Sequence, residues 1–216
     1  MTSYFFLQIA AYSVALGALI GLIRIRQVDR RFLPFIGLLW LGLLNEFISD
    51  FSIKHWQTNA PNTNIYFLFE AFLIVWQFAE WRLFSKRRTG WVIAFSFVAV
   101  WVCEVLLFKG IQQFSSYYHI FACFVCVLLS IQYINRLIFS NSRLSLKNPE
   151  FLICSGFIFF NTLMVLVEVF WIYGLDVDFN FSARVYEIIT YVNLLTNLIF
   201  AIAALWIPRK QTYLVL

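Results

Sequence analysis

Long apolar stretches separated by short polar segments run along nearly the whole chain. Each stretch has about the 20 residues that an α-helix needs to cross a bilayer. The pattern predicts an all-α membrane protein, a seven-transmembrane-helix bundle that forms a single domain over residues 1–216. The predicted helices cover residues 4–23, 33–51, 64–81, 91–108, 116–139, 151–173 and 182–207.

The composition agrees with this pattern. Hydrophobic residues make up 62% of the chain, charged residues make up 12%, and the mean hydropathy is +0.80, as is typical of membrane proteins. The predicted connections have only about 7 to 12 residues, so we expect no soluble catalytic or signalling domain. Basic residues follow the first stretch and none precedes it, which predicts a permanent span rather than a cleaved signal peptide.

The basic residues divide unevenly between the two ends of the predicted bundle. Thirteen of the sixteen follow the first, third, fifth and seventh helices, and only Lys54, Lys109 and Arg184 lie at the other end. Because loops rich in lysine and arginine stay in the cytoplasm, this division predicts an outside N-terminus and a cytoplasmic C-terminus. The net charge of +5 then meets anionic lipid headgroups, and we expect no nucleic-acid binding.

The acidic residues favour the outer half of the predicted bundle, where eight of the eleven fall. At about 1.5 Å per residue, five acids on five helices lie between about 4 and 11 Å outside the helix midpoints. Carboxylates that face lipid at this depth are costly, so these residues predict an outward-opening polar cavity. The alternative, that each acid pairs within the bundle and only holds it together, stays open. The five acids are Glu46, Glu70, Glu104, Glu168 and Glu187.

Helical spacing joins further polar residues to these acids. Tyr66, Glu70 and Gln77 are separated by four and seven residues, so they share one face of the third helix. Because acids outnumber bases in the outer half, we predict a site for a small cationic or polar ligand. Glu46 and Glu70 have similar depths, and we expect them to share a proton or a cation. The candidate ligand-binding residues are Glu46, Asp50, Tyr66, Glu70, Gln77, Asn161, Glu168, Glu187, Thr190, Asn193 and Asn197.

Similar polar settings recur in the two halves of the chain. The segment LLNEFISDF around Glu46 and the segment VLVEVFWIY around Glu168 each precede a polar stripe on the next helix. We hypothesise a 3+1+3 parallel pseudo-repeat, in which helix four joins two three-helix units. This topology is similar to that of sugar transporters of the SWEET type and vitamin-precursor transporters of the PnuC type, which implies a substrate site between the repeats.

Three segments carry a second resemblance. They are NEFISD, the segment NTNIYFLFEAF that contains Tyr66 and Glu70, and the run NLLTNLIFAIAALW in the last helix. Through them the sequence resembles a family of uncharacterised bacterial seven-helix inner-membrane proteins over most of the chain. The resemblance implies a location in the bacterial inner membrane, and it brings no particular activity with it.

Three classes of function are compatible with these features. We favour a receptor-like binding module, or sensor, that acts through a separate partner protein. A small-solute transporter is the alternative, which the polar stripes and the possible repeats indicate. An intramembrane enzyme is least favoured, because the chain has two histidines and lacks the hydrolase and metalloprotease motifs. We therefore predict no catalytic residues, no cofactor and no metal site, including at the four cysteines.

The expected partners follow from the apolar surface. With 26 phenylalanines and short loops, the lipid-facing surface is the largest possible interface. Besides the lipid bilayer, we expect lateral association with a membrane partner protein or with further copies of the chain as a homo-oligomer. The apolar tail at residues 212–216 could dock into such a neighbour.

Overall fold

The computed structural model describes residues 4–139, 147–173 and 179–210. The structure is 85% helical, and its described residues form no strand. The tail at residues 212–216 lies outside the described residues. The elements are α1 Tyr4–Tyr12, α2 Val14–Arg24, a 3₁₀ turn Arg30–Phe32, α3 Leu33–Trp56, α4 Ala60–Glu80, α5 Arg87–Trp101, a π-helix Val102–Lys109, α6 Ser116–Phe139, α7 Pro149–Tyr173 and α8 Phe179–Trp206.

Most of these helices are suited to a bilayer. Within the described residues, six helical segments are long and apolar enough to cross a membrane, which indicates an integral membrane protein and confirms the coarser part of the prediction. The third predicted span corresponds to α4, which is less apolar because it carries residues such as Asn64, Glu70 and Gln77. The six segments are Phe5–Arg24, Arg30–Trp56, Arg87–Lys109, Ser116–Phe139, Pro149–Phe170 and Glu187–Trp206.

The connection between α3 and α4 is much shorter than the sequence predicted. Helix α3 continues past residue 51 to Trp56, so the predicted end of the second helix was wrong. Lys54 and His55 lie in its last turn, where basic side chains are favourable beside the negative end of the helix dipole. Helix α4 begins at Ala60, and Pro61 lies in its first turn, where its missing N–H costs nothing. Only residues 57–59 connect the two helices.

The helices form a closed ring. From α2 onward, each α-helix contacts the next one along the chain, and α8 returns to contact α2. Helix α4 also contacts α6 directly, so α2, α3, α4, α6, α7 and α8 complete the ring and α5 lies outside it. The polar residues of α4 are therefore next to other helices, which explains how a less apolar helix fits in this bundle.

Small residues let the ring close tightly. The backbone of Gly156 in α7 lies so near α8 that an added Cβ would come within 2.4 Å of the Phe200 ring. Gly17 in α2 lies against Leu39 and Ala201, which brings α2 close to both α3 and α8. Close approach at small residues is the usual way for helices to associate without a hydrophobic driving force.

One end of the ring is held by arginines and is called the basic end below. The Arg24 guanidinium donates to the carbonyl oxygens of Ala204, Leu205 and Ile207, which have no acceptor role within α8 once the helix ends. Asp29 accepts hydrogen bonds from the main chain and the guanidinium of Arg31, and these bonds lower the pKa of its carboxyl group. The Arg24 contacts therefore tie the end of α2 to the end of α8, and the Asp29 contacts hold the turn that leads into α3.

Candidate functional site

A polar cavity lies inside the ring, between α2, α3, α4, α7 and α8, and is called the central cavity. The space open to the centres of water molecules is about 70 Å³. One water molecule needs roughly 10–15 Å³ by this measure, so the cavity has room for several waters or for a small solute. Its polar lining consists of Tyr66, Glu70, Asn161, Asn193, Thr196 and Asn197, and its apolar lining includes Val14, Leu38, Leu39, Gly42, Phe157, Phe160 and Phe200.

Glu70 supplies the carboxyl group of the central cavity. Among the described residues that line the cavity, it is the one with an ionisable acid, and none of them is a lysine, an arginine or a histidine. The Tyr66 hydroxyl, one turn earlier on α4, donates to Glu70 Oε1 at 3.1 Å. This bond uses part of the acceptor capacity of the carboxylate and fixes its position. The other carboxylate oxygen remains an acceptor for a further donor.

Asparagines from two helices supply the amide groups of the cavity. Asn197 Nδ2 donates to Asn193 Oδ1 at 3.2 Å and to Ser13 Oγ at 2.9 Å, which joins α8 to the break between α1 and α2. Asn161 Nδ2 donates to the Phe157 carbonyl at 2.8 Å and lies 3.5 Å from Cys126 Sγ. These bonds use amide nitrogens, so the carbonyl oxygens of Asn161 and Asn197 remain as acceptors in the described part of the chain.

Thr196 is a lining residue that the sequence reasoning missed. Its side chain is 2% exposed, and its hydroxyl has no hydrogen-bond partner among the described residues. A buried hydroxyl without a partner is rare and costly. Thr196 lies beside Asn193 and Asn197 on α8, and this position was its signal in the sequence. Asn197 is seven residues after Thr190 and so shares its helix face, whereas Thr196 does not, so helical spacing did not select Thr196.

A break in the first span supports the cavity wall. Helices α1 and α2 are separated at Ser13, whose hydroxyl donates to the Ala10 carbonyl at 2.6 Å. Serine that bonds back to the preceding turn competes with the helix hydrogen bonds and often bends a helix. The same oxygen accepts the bond from Asn197, so the break and the cavity amides belong to one network.

A second, smaller cavity lies next to the central one. It holds about 10 Å³, close to the space of a single water molecule. Glu70 and Asn161 line both cavities and therefore form the wall between them. Cys123 and Cys126 line the smaller cavity and have C-x-x-C spacing on α6, which the prediction of no metal site at the cysteines had overlooked. Both cysteines are free thiols.

His119 connects this small cavity to Glu168. Its Nδ1 lies 2.7 Å from Glu168 Oε1, and its ring stacks on Phe67 with centroids 3.6 Å apart. His119 also lies close enough to Glu70 to interact with it electrostatically. Nothing in the sequence indicated this partnership, because His119 and Glu168 are 49 positions apart.

An outer cavity lies beyond this pair, at the end of the bundle opposite the basic end. It measures about 370 Å³ and is lined by residues of α4, α6, α7 and α8, among them Thr63, Phe67, Ser116 and Glu168. Phe67 lines both the outer and the small cavity. The outer, small and central cavities therefore follow one another, with Phe67 and then Glu70 and Asn161 between them.

Five of the eleven predicted ligand-binding residues line the central cavity: Tyr66, Glu70, Asn161, Asn193 and Asn197. Glu168 lines the outer cavity instead. Glu187 and Thr190 lie on α8, are half-buried, and make interactions within the protein.

Three further candidates lie away from these linings. Gln77 is 1% exposed, accepts from Phe35 N at 2.8 Å and donates to the Arg31 carbonyl at 2.7 Å, so both ends of its amide hold the start of α3. Asp50 accepts from the Tyr12 hydroxyl at 2.6 Å. Glu46 is half-buried near Asp50, and among the described residues no hydrogen bond joins it to Glu70.

Glu104, another acid of the predicted outer layer, has a structural environment. Its carboxylate accepts from Tyr117 N at 3.1 Å and Tyr118 N at 2.5 Å, and it forms an ion pair with Lys109 at 2.9 Å. The two main-chain donors belong to the first turn of α6, where N–H groups have no partner within the helix. Glu104 itself lies in the first turn of the π-helix Val102–Lys109.

Comparisons with known proteins do not extend this description. A scan against protein-family models, a search of curated proteins and a search of solved structures each gave no match for this chain. The resemblance to bacterial seven-helix inner-membrane proteins therefore stays a prediction.

Proposed function

We propose that this protein is a receptor-like membrane binding module that holds a small cationic or hydrogen-bond-donating solute in the central cavity. The observation that carries the proposal is the lining of that cavity, a space of about 70 Å³. One carboxyl group, three amides and a hydroxyl that has no partner in the described part of the chain surround it. Polar groups that converge on a cavity in an otherwise apolar bundle are typical of a ligand site.

The balance of donors and acceptors favours a cation. Glu70, the Asn161 carbonyl and the Asn197 carbonyl are acceptors, and the described lining has no cationic side chain to oppose them. An ammonium or guanidinium group would satisfy these acceptors and neutralise the charge of Glu70 at once. An anion would meet Glu70 in a region of low dielectric, where like charges repel strongly.

Thermal unfolding of the detergent-purified protein tests this proposal directly. A ligand that binds the folded state stabilises it by about 2.7 kcal/mol at 100 times its dissociation constant. We expect ammonium or methylammonium chloride to raise the unfolding temperature of the wild-type protein above its value in equal sodium chloride, whereas sodium formate should not. The proposal fails if neither cation has an effect beyond that of sodium chloride, or if formate stabilises the protein as much as they do.

Substitutions locate the effect in the cavity. Glu70→Gln should abolish the cation-dependent shift, because glutamine keeps the acceptor for Tyr66 but removes the charge. Glu80→Gln is the matched control, since Glu80 lies on the same helix, accepts from Trp76 Nε1 at 3.0 Å and does not line the central cavity. An equal loss of the shift in both variants would contradict a site at Glu70.

Transport of the solute is the second candidate function. The series of outer, small and central cavities favours it, because the series leads from one end of the bundle to its middle. The position of α5 outside the ring also supports the 3+1+3 arrangement, in which a linker helix joins two three-helix units. The basic loops support an orientation in which the outer cavity opens to the outside.

Flux separates the two candidates. Radiolabelled methylammonium is added to proteoliposomes that contain the wild-type protein, the Glu70→Gln variant or the Glu80→Gln variant. Uptake by the wild type and Glu80→Gln but not by Glu70→Gln would establish transport through the central cavity. Binding without uptake would favour the receptor-like module, whose output must then pass to a separate partner protein.

A further inference from the structure

A large groove lies on the outside of the ring, where α5 packs against α4 near the basic end. It measures about 800 Å³, which is within the size range of small-ligand sites. Residues of α4, of the connecting segment and of α5 line it: Phe72, Val75, Trp76, Ala79, Glu80, Arg82, Phe84, Arg87, Gly90, Trp91 and Ala94. None of these residues lines the central cavity, so the groove is a separate feature.

The groove has an apolar part and a charged part. Its apolar walls come from residues such as Phe72, Val75 and Ala94, and small residues at Ala79 and Gly90 leave the space between the two helices open. Gly90 is needed beside Phe84, because an added Cβ would lie 3.2 Å from the Phe84 ring. In a bilayer, such walls are contacted by acyl chains.

Two guanidinium groups lie at the charged part. Arg82 and Arg87 both line the groove and both are exposed. Arg136 of α6 donates to the Arg82 main-chain carbonyl, which holds the connecting segment in place and brings a third guanidinium to this end. The acid of the groove, Glu80, already accepts a hydrogen bond from Trp76 Nε1 at 3.0 Å. The groove therefore has an excess of positive charge.

Aromatic side chains mark the depth at which these arginines lie. Trp76 and Trp91 line the groove and are 53% and 66% exposed. Tryptophan collects at the level of lipid headgroups. The two arginines belong to the basic segment that runs from the end of α4 into the start of α5. In a bilayer, this segment would lie at the level of the headgroup phosphates.

We propose that the groove between α4 and α5 binds one anionic phospholipid, with its phosphate at Arg82 and Arg87 and an acyl chain along the apolar walls. Guanidinium groups pair with phosphate through two parallel hydrogen bonds, and basic pockets between membrane helices select anionic headgroups. A zwitterionic lipid of the same chain length fits the walls but lacks the net negative charge. The site is independent of the solute proposed for the central cavity.

Native mass spectrometry of the detergent-purified full chain tests this proposal. Phosphatidylglycerol and phosphatidylcholine with identical chains are added in separate titrations, and bound lipid is counted per protein. We expect phosphatidylglycerol to bind at least about tenfold more tightly. Equal binding of the two lipids overturns the proposal, and so does binding of glycerophosphoglycerol, which lacks acyl chains, with the affinity of the whole lipid.

Variants place the lipid in the groove. Arg82→Gln combined with Arg87→Gln should lose the preference for phosphatidylglycerol, and Ala79→Trp, at an exposed position, should fill the groove and weaken both lipids. The control combines Arg26→Gln with Arg30→Gln, which removes the same charge from exposed positions outside the groove. The unfolding temperature of each variant in detergent is measured first, and only variants as stable as the wild type are compared. The proposal is overturned if the control variant loses the preference for phosphatidylglycerol to the same extent. It is also overturned if the protein forms a dimer in place of lipid binding and Ala79→Trp breaks that dimer.

Discussion

Glu70 in α4 and Glu104 in the π-helix after α5 are both carboxylates within apolar helical regions, but their surroundings differ. Glu104 is 5% exposed, and two main-chain N–H groups and the Lys109 ammonium already use its oxygens. Within the described ranges, Glu70 accepts one hydrogen bond, from Tyr66 in its own helix, and it lines two cavities. Both acids were expected in the same layer on the basis of depth alone.

The difference separates two uses of a membrane-embedded acid. Glu104 supplies acceptors to the first turn of α6, so it stabilises the fold. This is the structural role that the sequence left open for each acid, namely pairing within the bundle. Glu70 keeps acceptor capacity beside an open space, so it can take a ligand. The number of partners that an acid has within the protein is therefore more informative than its depth in the bundle.

Removing the acceptor at position 104 should have the largest effect on stability. Glu104→Leu leaves the N–H groups of Tyr117 and Tyr118 and the Lys109 ammonium without their acceptor. We expect a loss of about 3 kcal/mol in unfolding free energy. Thermal unfolding in detergent measures it. Glu104→Gln keeps one acceptor oxygen and should recover part of the loss. A Glu104→Leu variant as stable as wild type would remove the contrast between the two acids.

Removing the charge at position 70 should affect binding and leave stability nearly unchanged. Glu70→Gln still accepts from Tyr66, so we expect a change of less than about 1 kcal/mol in unfolding free energy. Affinity for methylammonium should fall at least about tenfold, since the variant loses a charge-assisted hydrogen bond. Isothermal titration calorimetry provides the affinity, and Glu46→Gln sharpens the comparison because Glu46 does not line the cavity. Wild-type affinity of Glu70→Gln would show that Glu70 is structural too.

Reducing the space beside Glu70 should weaken binding to a smaller extent. Gly42 lines the central cavity, and a Cβ there would lie 3.4 Å from Val14 and 3.9 Å from the Tyr66 hydroxyl, which are ordinary contact distances. We expect Gly42→Ala to fold normally and to bind methylammonium several-fold more weakly, because one methyl group occupies space that the ligand needs.

The same helix provides the control for this substitution. Gly37→Ala adds the same methyl group to α3, where the nearest atom is Leu73 Cδ2 at 3.8 Å, outside the cavity lining. Both variants gain the same helix propensity, so a difference between their affinities reports on the cavity alone. Equal affinities in calorimetry would argue against a ligand next to Gly42.

The smallest effect is expected at Thr196. Thr196→Val removes a buried hydroxyl that has no partner among the described residues, so the unfolding free energy should stay the same or rise by up to about 1 kcal/mol. Because this hydroxyl lines the proposed site, we expect Thr196→Val to bind methylammonium about two- to threefold more weakly and Thr196→Ser to keep the wild-type affinity. Unfolding and calorimetry are measured on the same preparations. A destabilised Thr196→Val variant would show that the hydroxyl has a structural partner.

Much of the fold followed from the sequence, because the free energy of placing apolar residues in a bilayer depends mainly on composition and length. The helix predicted at residues 116–139 has the same bounds as α6. The bounds were less accurate at α3, where a continuing helix with Lys54 and His55 in its last turn was interpreted as a loop. Polar residues at a helix end resemble a loop in hydropathy, although the helix dipole favours them there.

The candidate site was predicted in part. Spacing along α4 correctly grouped Tyr66 with Glu70, since residues four apart on a helix lie side by side. The same spacing included Gln77, whose amide instead bonds to the main chain of Phe35 and Arg31. Periodicity specifies which residues share a face of one helix, but it contains no information about which part of another helix that face meets.

The sequence by itself determined that the chain is a bundle of apolar helices with acids at intermediate depth, because both properties are local to each helix. The tertiary structure decided which acids are already paired and which adjoin a cavity. Glu104 meets α6, His119 meets Glu168, and Asn197 meets Ser13 across 184 positions of the chain. Those partners depend on how the helices close into a ring, and ring closure is set by packing between distant segments that no local pattern encodes.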